Sequence, residues 1–183
     1  MSPARRPGRS LLAAGTLVCG ALTLAVSVVD PLGAQQPERR TLQGERVAIY
    51  NLVGALRAEP TTGSEVVVEI TRRGADADRI VIERLQRGGA EVLALAYPGD
   101  RIRYRGSGFR QNTAMSVRED GTFGGGMGGG GRRVRIGGDD GLDASADLRV
   151  FVPRGQRIAL HLGLGNVTVA NVNGDILVDV GAA

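Results

Sequence analysis

Short runs of Val, Ile and Leu alternate with polar residues along most of the chain, and Gly, Pro, Asn or Asp closes each run. RVAIYNL (46–52), EVVVEITR (65–72), DRIVIERL (78–85), EVLALAY (91–97), RIRYRG (101–106) and RRVRIGG (132–138) follow this pattern. DLRVFVP (147–153), RIALHLG (157–163), NVTVANV (166–172) and DILVDV (175–180) continue it. A period of two with β-branched residues predicts half-buried strands. No stretch after residue 34 keeps the helical period with caps and adequate length, so the expected class is all-β.

A repeat sharpens that expectation. VAIYNLVGALRA from Val47 aligns without gaps on VTVANVNGDILV from Val167. Val47, Ile49, Asn51, Gly54, Leu56 and Ala58 match Val167, Val169, Asn171, Gly174, Ile176 and Val178. Asn tolerates the left-handed region and Gly takes positive φ freely, so each N-x-x-G predicts a tight corner between two short strands. Asn51, Gly54, Asn171 and Gly174 are thus expected as outward structural corners, with Val and Ile filling the interior. A unit of about a dozen residues cannot bury its own apolar face, so it must stack on copies of itself as a solenoid or close into a sandwich.

The repeat, with the leading strand DLRVFVPRG before it, resembles the exported bacterial adhesin family of β-strand repeats, a domain of unknown function. Asp147, Leu148, Val150, Val152, Pro153 and Gly155 fit the leading-strand motif, and the resemblance spans roughly residues 44–183. It implies a right-handed β-helix, or an open single-sheet version of one. Family members look longer, so the chain reads either as a short member or as one truncated after DVGAA, with an unpaired strand edge.

The N-terminal 34 residues differ in kind. Arg5, Arg6 and Arg9 precede the uncharged apolar run Leu11 to Val29, and Asp30-Pro31 breaks it before Gly33-Ala34. This predicts a signal peptide cleaved after Ala34, or a retained anchor, and in either case an exported chain: periplasmic, surface-bound or secreted. Residues 35–44, QQPERRTLQG, carry no periodicity and read as a polar linker, leaving 45–183 as the β-repeat domain. Cys19 is the one cysteine and lies in the leader, so disulfide and thiolate-metal roles are excluded from the rest.

All 23 basic residues are Arg, against 19 acids. Removing residues 1–34 takes away three Arg and one Asp, and the net charge falls from +4 to +2. No clustered basic footprint suited to nucleic acid remains. Alternation does place Arg101, Arg103 and Arg105 on one strand face and Arg133 and Arg135 on another. If the two strands pair, five guanidinium groups share a surface suited to an anionic envelope polysaccharide or another surface partner.

Three further features carry less. The glycine-rich loop GTFGGGMGGGG (121–131) satisfies G-x-G-x-x-G at Gly124, Gly126 and Gly129, but a phosphate cradle needs a strand before and a helix after, and strands flank it here. It reads as a loose excursion, with no cofactor implied. Asp139, Asp140, Asp143 and Asp147 lack the spacing of a calcium loop and read as a solvated turn without metal. His161, the single histidine, could meet Ser145 or Ser107, but no nucleophile elbow surrounds either. The reading is an adhesin-like binding or structural module without catalysis; the alternatives are a carbohydrate-active β-helix enzyme and a structural fragment of a longer repeat protein.

Overall fold

The computed structural model of the protein describes residues 37–104, 113–123 and 131–182. The signal segment expected at 1–34 lies outside them. Within them the chain is nearly all strand, as its alternation predicts: β1 (Glu38–Leu42), β2 (Arg46–Thr61), β3 (Val66–Arg73), β4 (Val81–Arg87), β5 (Ala90–Ala96) and β6 (Arg101–Ile102) come first. β7 (Thr113–Val117), β8 (Arg132–Ile136), β9 (Ser145–Pro153), β10 (Arg157–Val169) and β11 (Asp175–Ala182) follow, and the helical content is one 3₁₀ turn at Ala77–Arg79.

The larger sheet runs β1-β3-β9-β2-β10-β11, with β5 also on β2 and β4 on β5. β2 organises it. Its first half, Val47 to Tyr50, pairs in parallel with β5, and its second half, Leu56 to Thr61, pairs in parallel with β9. β10 runs parallel to both halves on the other side. The chain then returns to lay β11 parallel on β10, Asp175 beside Arg157. The smaller sheet is β6-β8-β7. Ile102, Val117, Val134 and Ile136 from this sheet join Val47, Ile49, Leu56, Val150 and Leu160 from the larger one in a single buried cluster. Removing that apolar area from water, at about 25 cal/mol per Å², holds the sheets together.

The repeat copies do not stack on each other as aligned. Val47 lies beside Ile158, and Leu56 beside Val167, so β2 neighbours a stretch nine residues earlier than the alignment suggests. The two corners also differ from expectation. Asn171 does turn the chain, with φ 55, and Gly174 closes that turn before β11. Asn51 and Gly54 instead sit inside the continuous strand β2, and Asn51 is fully buried. What was expected as an outward corner is an inward bend, because Tyr97 and Ala146 satisfy the Asn51 amide inside the core. Parallel rungs are present, while a complete β-helix is a finer description than these pairings carry.

The expected linker also gives way. β1 lies within 35–44, pairs antiparallel with β3 and buries Leu42. Its polar composition reflects an edge strand with one core residue, in which Glu38 pairs with Arg40 and Arg72. The residues after β1 are held by Glu91, whose carboxylate is almost wholly buried. It accepts from the Gln43 N–H at 2.7 Å, the Gly44 N–H at 2.9 Å and Arg84 Nε at 2.5 Å. Burial alone would raise its pKa, but these donors together hold it below the ordinary range. A depressed folded pKa stabilises the native state above the unfolded value and loses that contribution as pH falls. Glu91→Gln is therefore expected to cost about 1–2 kcal/mol at neutral pH in urea unfolding, and the gap to the unsubstituted chain should close as pH drops below about 4.

Candidate functional site

The centre of the smaller sheet is β8, and its alternation is strict. Val134 and Ile136 are fully buried, while Arg133 and Arg135 project outward. β7 runs antiparallel beside it, setting Ser116 opposite Arg133 and Ala114 opposite Arg135. Both of these small side chains are exposed, so they leave the guanidinium groups uncovered on that flank. On the other flank β6 runs parallel and sets Arg101 directly beside Arg135. Like charges opposite each other on a sheet face repel, and here one of the two is offset: Arg101 pairs with Asp140.

The five predicted arginines therefore separate. Arg101, Arg133 and Arg135 share one face, as expected from the pairing of their strands. Arg103 does not join them, because β6 ends at Ile102 and the Arg103 side chain turns to Asp143. Arg105 lies outside the described residues. Among the described residues, Arg133 and Arg135 have no acidic partner, whereas Arg72, Arg73, Arg84, Arg87 and Arg149 each have one. Two guanidinium groups without acidic partners, two residues apart on one exposed strand face, are an arrangement that carboxylate or phosphate would neutralise. An open cleft of about 830 Å³ between the turns at 61–64 and 153–157 carries Arg154 and Arg157 beside Glu45, and shares no residue with this face.

The acidic turn is occupied by structure. Asp140 and Asp143 hold Arg101 and Arg103, and Asp147 accepts from the Ala55 N–H at 3.0 Å and from Arg73 Nε at 2.6 Å. The first residues of the glycine-rich loop are not the loose excursion expected. Thr122 is fully buried and Phe123 nearly so, with Phe123 bridged to Val117. Thr122 Oγ donates to Asp120 at 2.7 Å and accepts from Arg87 at 2.9 Å. The start of the tract is thus clamped to β4; residues 124–130 lie outside the described residues.

Sequence reasoning missed the setting of His161. Its ring stacks on Tyr50 at 4.2 Å and 5° between planes, and its Nδ1 lies 3.2 Å from Asp179 Oδ2. Phe123 meets Tyr50 edge-on at 5.5 Å. Burial raises the Tyr50 hydroxyl pKa, against the lowering effect of Arg87 and Arg118. Tyr50, His161 and Asp179 occupy one register row across β2, β10 and β11, so the signal lay in strand pairing that the sequence alone did not reveal. Of the two serines considered with His161, Ser145 sits in β9 opposite Arg73, and Ser107 is outside the described residues.

No family model matches the chain, and neither a curated protein nor a solved structure matches it. The resemblance to exported adhesin repeats therefore rests on its motifs.

Proposed function

We propose that the protein is an exported envelope component that binds anionic polymer through the outer face of the small sheet and performs no catalysis. The observation that carries this reading is the pair Arg133 and Arg135, exposed on β8 without acidic partners among the described residues and beside Arg101. The N-terminal pattern of Arg, apolar run and small residues supports export, which would bring this face to carboxylated or phosphorylated envelope polymers. Guanidinium groups suit such ligands because they fork onto two oxygens at once and remain charged at any physiological pH. An exposed strand face suits an extended polymer better than a small substrate, which needs an enclosing pocket.

Binding of the purified protein to polygalacturonate, polyphosphate and neutral dextran tests this. Affinity for both polyanions is expected to exceed that for dextran and to fall with salt, since exposed charges are screened within about 8 Å at physiological ionic strength. Arg133→Gln with Arg135→Gln should weaken polyanion binding about tenfold without changing the unfolding free energy by more than about 0.5 kcal/mol. Polyanion binding indifferent to that double substitution would sink the site, and turnover of any of the polymers would sink the non-catalytic reading.

A further inference from the structure

The edges of the larger sheet are not equally protected. β1 carries Glu38, Arg39 and Arg40, and β4 carries Glu83, Arg84 and Arg87. Charged side chains of this kind keep an exposed strand edge from adding another strand. β11 differs: its first half holds Ile176-Leu177-Val178, with Leu177 55% and Val178 45% exposed. Among the described residues it pairs with β10 alone. Leu177 also borders an apolar groove of about 430 Å³ to which Ala48 and Ala159 contribute.

The backbone of this edge is oriented for pairing. The Asp175 N–H is bonded to Gln156 O at 3.0 Å, so residue 175 faces the neighbouring β10. Alternation along the strand then turns the N–H and C=O of Ile176, Val178 and Val180 to the open side. Two carboxylates restrict which strand can approach. If a second β11 approached antiparallel with Leu177 at the centre, Asp175 would face Asp179; with Asp179 at the centre, that carboxylate would face itself. Centring on Val178 avoids both: Val178 meets Val178, Ile176 meets Val180, and Leu177 meets Asp179. The outward N–H and C=O groups then bond reciprocally, and the two Leu177 side chains lie diagonally within about 7–8 Å on one face.

We infer that β11 is a self-association edge, and that two copies of the chain join antiparallel about a two-fold axis through Val178. The occupant is a second copy because in this register the free backbone groups pair with themselves and the apolar row Ile176, Val178 and Val180 meets the same row, with no carboxylate directly opposite another. The pairing is independent of what the arginine face binds.

Sedimentation equilibrium of the purified exported protein over about 1–100 μM tests it. A monomer–dimer equilibrium is expected. Val178→Pro leaves the β10 ladder intact, since its N–H faces the open side, but removes the donors nearest the axis; the dimer dissociation constant should rise about tenfold or more. Val178→Asp sets a carboxylate against its own copy, so it should give monomer at neutral pH and recover dimer as pH falls and the acid protonates. Circular dichroism checks that each variant stays folded, and Val178→Asp decides the matter if the proline variant does not. A monomer throughout the concentration range, or a dimer unaffected by Val178→Asp, would overturn the inference.

Discussion

Gly165→Ala is expected to destabilise the protein by about 3–5 kcal/mol, a large part of a typical domain's stability. Gly165 has φ 140, and a Cβ placed on it would lie 1.7 Å from the Gly54 carbonyl oxygen. That neighbour is backbone held in the β2–β10 ladder, so it cannot turn aside as a flexible side chain would. Gly54 repeats the situation one strand further in, with φ 134 and a Cβ position 2.0 Å from the Ala146 carbonyl. Ala146, Gly54 and Gly165 thus stack where β9, β2 and β10 bend past each other, and a side chain at either glycine would push two ladders apart. Gly88→Ala is the control. Gly88 also has positive φ, at 57, but a Cβ there meets nothing within 4 Å. Its cost should stay near 1 kcal/mol. Urea unfolding of the two variants measures the difference, and equal midpoints would show that the stacked bend does not constrain the fold.

The second large effect is expected at Asn51. Its Nδ2 donates to Ala146 O at 2.6 Å, and its Oδ1 accepts from the Tyr97 hydroxyl at 2.8 Å, which also lies 3.1 Å from Val53 O. Asn51 and Val53 are fully buried and Tyr97 is 1% exposed, so water cannot replace any of these partners. Burial also raises the Tyr97 pKa strongly, which keeps the hydroxyl a donor. Asn51→Ala takes the side-chain donor from the buried Ala146 carbonyl, leaves the Tyr97 hydroxyl with Val53 O alone and opens a cavity; the expected cost is about 3 kcal/mol. Tyr97→Phe should cost less, about 1–2 kcal/mol, because it takes the donor from Asn51 Oδ1 but keeps the ring and opens almost no cavity. The two are coupled, so the double variant should lose less than the sum of the singles. Strict additivity in a double-mutant cycle would contradict the network.

Much of the strand content was legible because alternation reports burial directly. In β3 the buried residues are Val66, Val68 and Ile70, every second position of a run that reads that way in the sequence. β1 was not legible, since an edge strand with one core residue, Leu42, has the composition of a linker. The N-x-x-G signal fixed local chemistry without fixing location: the same pair of residues makes an exposed turn at Asn171 and a buried bend at Asn51. What separates them is Tyr97, 46 residues along the chain, and no local pattern predicts such a contact. Glycine was likewise read as a strand boundary, yet Gly163 and Gly165 lie within β10, where missing side chains permit a bend. For the arginine face, alternation placed Arg133 and Arg135 correctly on one side. It misplaced Arg103, because where a strand stops depends on the tertiary partner Asp143 rather than on the sequence period.

Arginine-specific chemical modification, read by mass spectrometry with and without bound polyphosphate, tests the binding face most directly. Arg154 serves as an internal reference, being exposed in the separate cleft between the 61–64 and 153–157 turns. The predicted result is slower modification of Arg133 and Arg135 when polymer is bound, with Arg154 unchanged. Equal modification of Arg133 and Arg135 in the presence and absence of bound polymer would contradict the assignment of this face as the binding surface.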